Sequence, residues 1–136
     1  MYSYKFAAQH PERAAFVMAD SGQSVSYAEF EMRANRLAHF LRSEGLGLRD
    51  HYSIMMENND RYLEACAAGE RTGLYYTCVN SFLTADELAY ILENSESQIL
   101  ITNYLYEAKP FLEYAQIKLL MKEHFYFHKI EKQKNS

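Results

Sequence analysis

The stretch Gly73–Leu92, GLYYTCVNSFLTADELAYIL, decides the fold of this chain. It begins with small and aromatic residues that favour a strand. Asn80 and Ser81 then indicate a loop. Thr84 and Glu87 form a capping box, in which the hydroxyl accepts a hydrogen bond from a backbone amide of the first helical turn and the carboxylate accepts one from the cap amide. The stretch therefore predicts a strand, a loop and a capped helix, which is the repeating unit of an α/β sheet.

A second capping box lies upstream, where Ser26 is followed three residues later by Glu29. Apolar residues then recur on one helical face, while Glu31 and the arginines lie off that face. Gly45 and Gly47 end this helix, because glycine readily adopts the left-handed cap conformation. The residues predicted to face the core are Phe30, Ala34, Leu37, Ala38 and Leu41.

Further elements alternate along the chain on both sides of these two helices. We predict a hairpin near residues 14–27 and a helix near 60–72 whose inward face is Tyr62, Leu63, Cys66 and Ala67. Apolar runs predict roughly parallel strands at 52–56, 75–79 and 98–102. Helices alternating with such strands predict an α/β fold with a mostly parallel sheet, covering helices and an N-terminal hairpin.

Composition narrows the classes of protein to consider. The 136 residues allow one domain, and 49% hydrophobic with 24% charged residues is typical of a globular protein. A net charge of −4 with scattered basic residues argues against nucleic acid as a partner. No apolar run predicts a signal peptide or a transmembrane segment. Cys66 and Cys78 fit no metal spacing and are expected to be buried free thiols, which suits a cytoplasmic protein.

Five pieces of sequence, in order, resemble the N-terminal part of the adenylate-forming enzymes, the AMP-binding acyl-CoA synthetase and ligase superfamily. The resemblance spans residues 11–103 and departs from the family pattern at Leu48, Arg49 and Asp50, where glycine usually precedes the aspartate. Glu70 and Arg71 also stand where alanine is common. The VNSFLTADELAYI wording is similar to the fatty-acyl-CoA ligase branch. The five pieces are SYAEFEMRANRLAHFL, SEGLGLRD, SIMMENN, GLYYTCVNSFLTADELAYIL and QILITN.

The resemblance implies part of the N-terminal subdomain of the acyl-CoA synthetase fold, with residues 1–103 as its N-terminal portion and 104–136 as a divergent helical or disordered tail. Full-length members use ATP, magnesium and coenzyme A to convert a carboxylic acid into its acyl-CoA ester. Their phosphate loop, rich in serine, threonine and glycine and followed by a lysine, does not occur here. The five glycines are separated, at Gly22, Gly45, Gly47, Gly69 and Gly73.

We therefore expect a truncated ligase that is inactive alone, binds no cofactor itself and has no catalytic, cofactor-binding or metal residues in these 136 residues. Two alternatives remain open: a small α/β interaction or binding module, and one half of a split ligase. An unpaired strand edge would favour self-association or pairing with a downstream polypeptide that carries the rest of the ligase.

Several residues invite a chemical role, but a structural role is the better expectation for each. His124 and His128 share a helical face if the tail is helical, yet no third metal ligand accompanies them. Glu44, Glu57 and Asp60 are expected at surface or cap positions. Gly45-x-Gly47 precedes a strand, whereas a dinucleotide-binding motif follows one. Tyr75 and Tyr76 are expected to pack in the sheet, and the terminal lysines 118, 122, 129, 132 and 134 to be solvated.

Overall fold

The computed structural model describes residues 3–102 and the backbone strands 117–122 and 125–130. Four helices lie in this part of the chain: α1 (Ser3–Gln9), α2 (Tyr27–Ser43), α3 (Tyr62–Thr72) and α4 (Ala85–Asn94). Its strands are β1 (Ala14–Val17), β2 (Ser24–Ser26), β3 (His51–Met55), β4 (Tyr75–Cys78), β5 (Ser97–Thr102), β6 (Ile117–Lys122) and β7 (Phe125–Ile130).

The chain forms two compact units, where its length had suggested a single domain. Residues 1–45 with 58–72 form the first unit, and residues 46–57 with 73–136 form the second. The chain thus crosses from one unit to the other three times, so segments distant in sequence complete each unit.

The first unit contains the predicted hairpin. Strands β1 and β2 are antiparallel, with Ala14 opposite Ser26 and a register shift between Ala14 and Phe16. Ser26 is also the N-cap of α2, and its hydroxyl accepts a hydrogen bond from the Glu29 amide at 3.2 Å. The Glu29 carboxylate accepts a hydrogen bond from Arg33, which lies one turn further along the helix.

Helices α2 and α3 pack against each other in the first unit. The buried face of α2 agrees with the sequence pattern except that Phe40 is buried and Phe30 only half-buried. The predicted inward face of α3 is wrong at Leu63, whose side chain is 48% exposed. Small residues and one carboxylate are buried in its place, namely Glu64, Ala65, Ala67, Ala68 and Gly69.

The second unit contains a five-stranded sheet with the order β4-β3-β5-β7-β6. Strand β3 pairs in parallel with both β4 and β5. The predicted strands at 52–56, 75–79 and 98–102 are therefore confirmed, and they belong to one sheet. Every residue of β3 from Tyr52 to Met55 is buried, as expected for a central parallel strand that is covered on both faces.

Helix α4 covers part of this sheet through an apolar cluster. Thr84 and Glu87 form the predicted capping box: the Thr84 amide donates to the Glu87 carboxylate at 2.9 Å, and the Glu87 amide donates to the Thr84 hydroxyl at 3.3 Å. The cap fixes the start of the helix, so that its apolar side chains meet the sheet. The cluster contains Met55, Val79, Leu88, Leu92 and Leu100.

Two strands lie in the segment that was predicted to be a helical or disordered tail. Strand β7 pairs antiparallel with β5, Leu100 opposite His128, and β6 pairs antiparallel with β7. The prediction is wrong for these two strands. They form by pairing with β5 and with each other, and their local sequence pattern does not indicate this pairing. The rest of residues 104–136 lies outside the described residues.

The turn before β3 has one unusual backbone position. Arg49 has a φ of +69°, a left-handed conformation that glycine adopts more readily than arginine. It occupies the place where the sequence comparison expected glycine. The Asp50 carboxylate accepts a hydrogen bond from the Gly47 amide at 2.7 Å, and the Arg49 amide donates to the Gly73 carbonyl at 2.9 Å. These bonds hold the turn despite the cost of the Arg49 conformation.

Neither cysteine forms a disulfide, and neither is fully buried. Cys66 is half-buried and Cys78 is exposed, so the expectation of two buried thiols is wrong. The position of Cys78 in an outer strand explains its exposure. In the part of the chain that is described, no helix combines the length and the apolar character needed to cross a membrane.

Candidate functional site

The most unusual side chain of the first unit is Glu64, which lies on α3 and is only 3% exposed. Arg61 donates a hydrogen bond to its Oε1 across 3.5 Å, and Arg33 of α2 lies 3.8 Å from its Oε2. Oε2 itself has no hydrogen-bond partner. Glu64 is therefore a buried carboxyl group held near two guanidinium groups but incompletely hydrogen-bonded.

Both arginines also have other carboxylate partners. Asp60 lies 3.4 Å from Arg33 and 3.7 Å from Arg61, and it accepts a hydrogen bond from Gln23 at 3.2 Å. Glu29 pairs with Arg33 as well. If Glu64 is protonated, the two positive charges of this group are balanced by two negative ones; if Glu64 is ionised, the group carries one surplus negative charge.

The pKa of Glu64 is raised to about 7. Burial is the largest cause, because a desolvated carboxylate is disfavoured. The positive charges of Arg61 and Arg33 and the hydrogen bond from Arg61 lower this pKa, while the negative charge of Asp60 raises it. Burial outweighs the arginines, so the neutral form of Glu64 is favoured more strongly than that of an ordinary glutamate.

A carboxyl group with such a pKa matches the acid or base of many active sites, but position decides whether it can act. A general acid or base must reach within hydrogen-bonding distance of a substrate or of a water in contact with it. Glu64 is almost fully enclosed. The ion pairs around Glu64 link α2 to α3 and to the segment before it.

A second ion pair joins the same two helices, with the opposite electrostatic outcome. Arg71 binds both oxygens of Glu31 at 3.0 Å and also donates to Asn35 Oδ1 at 2.7 Å. Ser3 donates a further hydrogen bond to Glu31. Partial burial alone would raise the pKa of Glu31, but the hydrogen bonds from Arg71 and Ser3 and the charge of Arg71 lower it.

The second unit has a buried group of hydroxyls where β3 meets β5. The Ser53 and Ser97 hydroxyl oxygens are 2.6 Å apart, and those of Ser95 and Ser97 are 2.7 Å apart. Ser53 and Ser97 are both buried. The hydroxyls thus hydrogen-bond to one another inside the sheet, which is a structural role.

The three carboxylates considered from sequence are not brought together as an acid–base pair. Asp60 lies in the ion-pair group of Arg33 and Arg61. Glu44 is the C-cap residue of α2, and Glu57 is an exposed residue after β3. Each has the cap or surface position expected for it, apart from the ion pairs of Asp60.

The remaining sequence candidates also have structural positions where the structure describes them. Tyr75 stacks on His51 with ring centroids 5.0 Å apart, and Tyr76 lies 5.9 Å from Tyr52. Gly45, with a φ of +94°, follows α2. His124 and the side chain of His128 lie outside the described residues, as do the side chains of the terminal lysines. Within the described ranges, no three His, Cys, Asp or Glu side chains are arranged to hold a metal ion.

Sequence reasoning did not find Glu64, because the helix pattern was assigned from large apolar residues. Two signals were available. Ala65, Ala68 and Gly69 mark a face where small side chains allow close helix packing, and Arg61 stands three residues before Glu64, at the spacing of a helical ion pair. Together they would have favoured an α3 face that packs closely around a paired carboxylate.

The comparison with known families decides the affiliation. The profile of a family described as AMP-binding enzyme matches residues 4–134. The chain belongs to this family. The match covers almost all of the chain, including the described strands β6 and β7.

Relatives in the AMP-binding enzyme family are much longer than this chain. It is 38% identical over 99 residues to 3-oxocholest-4-en-26-oate–CoA ligase of Rhodococcus rhodochrous, covering 73% of this chain and 18% of that one. It is 34% identical over 103 residues to long-chain-fatty-acid–CoA ligase of Thermus thermophilus, covering 74% and 18%. The chain thus spans less than a fifth of the length of these ligases.

A solved structure of the family has the same architecture. O-succinylbenzoate coenzyme A synthetase of Bacillus subtilis, in complex with AMP, matches with a TM-score of 0.71 and 27% identity. The match covers 82% of this chain and 29% of that chain. The α/β arrangement, with its parallel strands β3, β4 and β5, is therefore that of the N-terminal part of the acyl-CoA synthetases.

Proposed function

We propose that this chain is the N-terminal piece of an ATP-dependent acyl-CoA synthetase and that its 136 residues have no ligase activity by themselves. The observation that supports this is that the chain is much shorter than the ligases it matches. The family match covers residues 4–134, whereas the chain spans 18% of the length of the ligases that it matches. A complete enzyme of this kind would join a fatty or other carboxylic acid to coenzyme A, releasing AMP and pyrophosphate.

The chemistry of the chain supports inactivity. Phosphoryl chemistry needs backbone amides and positive charges that contact the phosphates. The sequence has no loop rich in glycine, serine and threonine with an adjacent lysine. Arg33 and Arg71 form ion pairs with carboxylates of the same unit. The residues present do not fit ATP or magnesium, so no step of the reaction is assigned to them.

A direct assay tests this proposal. The purified chain is incubated with ATP, coenzyme A and a series of fatty acids, and both pyrophosphate release and acyl-CoA formation are measured. We expect no turnover above a blank without protein. Turnover by the chain alone would overturn the proposal.

A chimera tests family competence separately from inactivity. Residues 4–102 of this chain replace the matching segment of the Thermus thermophilus ligase, which is 34% identical over 103 residues. We expect the chimera to fold and to form long-chain acyl-CoA, because the family N-terminal fold is intact. The matched variant carries Gly73→Ala, where φ is +71° and strained for alanine; this chimera should be less stable by about 1 kcal/mol.

The split-ligase alternative is tested by mixing. The chain is combined with the Thermus thermophilus ligase that lacks its own matching segment. Activity that appears only in the mixture would replace the inert fragment with one half of a split enzyme. We also propose a cytoplasmic location, since neither cysteine is in a disulfide, which suits a reducing compartment.

A further inference from the structure

Polar side chains fix α3 to α2 at two points, one on each side of the buried face of α2. By helical position, Arg33 lies on one side of that face, and Glu31 and Asn35 lie on the other. Arg33 is 3.8 Å from Glu64 near the start of α3, and Arg71, in the last turn of α3, binds Glu31 at 3.0 Å. The two points are about two turns apart along α3. The buried face between them contains Ala34, Leu37, Ala38 and Leu41.

The first point, which we call the Glu64 joint, has more carboxyl groups than arginines among the described residues. An ionised Glu64 would add a surplus negative charge at a side chain that is only 3% exposed. Its Oε2 has no hydrogen-bond partner in the described part of the chain, so that charge would be incompletely stabilised. The hairpin loop contributes the uncharged Gln23, which binds Asp60. The charged members of the joint are Glu29 and Arg33 from α2, Asp60 and Arg61 from the segment before α3, and Glu64 itself.

The second point, the Arg71 joint, responds differently to protons. Arg71 donates to both oxygens of Glu31 at 3.0 Å and to Asn35 at 2.7 Å, and Ser3 also donates to Glu31. Burial alone would raise the pKa of Glu31, but these hydrogen bonds and the charge of Arg71 lower it. Burial raises the pKa of Glu64 to about 7. Glu64 therefore exchanges its proton in a pH range where Glu31 stays ionised.

We propose that the Glu64 joint is a pH-sensitive contact: when Glu64 loses its proton, the first turns of α3 separate from α2 and admit water, while the Arg71 joint holds the last turn in place. Separation lets water reach both carboxylate oxygens, which removes the cost of an enclosed charge. The closed form binds the proton more tightly than the open form. Closure is therefore fully favoured below the ordinary pKa of 4.5 and weakens as pH rises through about 7.

Native-state hydrogen exchange of the whole chain at about pH 6 and about pH 8, with small additions of urea, tests the proposal. After correction for the intrinsic effect of pH, the amides of residues 65–68 should lose about tenfold of their protection, as a pKa of about 7 closed and 4.5 open requires. A local opening exposes little surface, so this exchange should respond weakly to urea. The amides of residues 70–72 should exchange with the rest of the unit and respond strongly to urea.

Glu64→Gln is the decisive variant, because it cannot ionise. Its protection at residues 65–68 should be the same at both pH values. The matched control is Glu70→Gln, which makes the same change at an exposed residue of α3 and should behave as the wild type does. If Glu64→Gln does not fold, the carboxyl carbon resonance of Glu64 in the wild type provides a second measurement and should titrate near pH 7.

The urea dependence separates a local opening from a general loss of stability. If the amides of residues 65–68 respond to urea as strongly as the rest of the unit, α3 does not open separately and the proposal is overturned. Protection that is unchanged between the two pH values overturns it too. The same holds for an equal loss of protection in Glu64→Gln, and for a Glu64 resonance that titrates at the ordinary pKa of 4.5.

Discussion

Different interactions stabilise the inside of each of the two units. In the first, ion pairs of Arg33 and Arg71 with carboxylates link α2 to α3 and to the segment just before α3. In the second, the parallel ladder of β3, β4 and β5 and the apolar cluster around Leu88 and Leu100 hold α4 to the sheet. Changes in the first unit should therefore depend on pH and salt, whereas changes in the second should not.

The first unit itself contains a sharper contrast, between two glutamates. Glu31 is partly exposed and has three donors, so its ionised form is favoured and its pKa is lowered. Glu64 is enclosed and has an oxygen without a hydrogen-bond partner, so its neutral form is favoured and its pKa is raised to about 7. Both lie beside arginines, which shows that solvent access and hydrogen bonding decide the sign of the shift.

The largest effect is expected from Arg33→Met. It leaves Asp60 and Glu64 with one arginine fewer, and breaking such a largely buried pair costs about 3 kcal/mol of unfolding free energy above neutral pH. At about pH 5, where Glu64 is protonated, the cost should be smaller. Urea unfolding at both pH values measures this.

Arg36→Met is the control for Arg33→Met. Arg36 is an exposed residue of the same helix, and its replacement should change stability by less than about 0.5 kcal/mol. Equal losses in the two variants would show that the Arg33 ion pairs do not hold the helices together.

Glu64→Gln should change the pH dependence of stability. The pKa of Glu64 is raised from 4.5 to about 7, so the wild type has its full contribution below 4.5 and loses it as pH rises through 7. The glutamine mimics the neutral form at every pH. The variant should therefore gain stability relative to wild type with rising pH, by at most about 3 kcal/mol.

The readout for Glu64→Gln is the unfolding free energy across the pH range, with Glu70→Gln on the exposed side of α3 as control. A difference between wild type and Glu64→Gln that does not vary with pH would mean that folding does not raise the pKa of Glu64.

Glu31→Gln should show the opposite pH dependence with a smaller magnitude. The pKa of Glu31 is lowered, so its contribution is present above the ordinary pKa of 4.5 and is lost as pH falls through the lowered value. Near neutral pH the variant should be about 1 kcal/mol less stable than wild type, and less so in high salt. Chemical unfolding at two salt concentrations tests this; a loss that persists in acid would indicate a packing defect.

The smallest effect is expected in the second unit, from Arg49→Gly. Arg49 has a φ of +69°, and glycine removes that strain while giving the unfolded chain more freedom. The net gain should be about 0.5 kcal/mol and independent of pH. Arg42→Gly, in the last turn of α2, is the control and should destabilise by up to about 1 kcal/mol. A loss of stability in Arg49→Gly would contradict this account of the turn.

Much of the fold could be predicted because its signals are local. The capping residues Ser26 and Thr84 start two helices by bonding to amides three residues away. Apolar runs identified β3, β4 and β5; in β3 and β5 the run reflects burial along almost the whole strand. The resemblance to adenylate-forming enzymes added the expected order of these elements.

The misses concern residues whose surroundings come from distant segments. Leu63 was predicted to be buried because it is apolar, but it is exposed. Glu64 is buried, and Arg33 of another helix pairs with it. Strands β6 and β7 depend on pairing that begins at β5. No local pattern carries such information.

The sequence by itself determined the helix starts, the parallel strands and the family, because capping, apolar periodicity and motif order are properties of neighbouring residues. Only the tertiary structure decided that Glu64 favours its neutral form and Glu31 its charged form, that β4 is an outer strand, and that Arg49 takes a left-handed turn. Each of these depends on solvent access and on partners brought from other parts of the chain, and those are fixed only when the chain has folded.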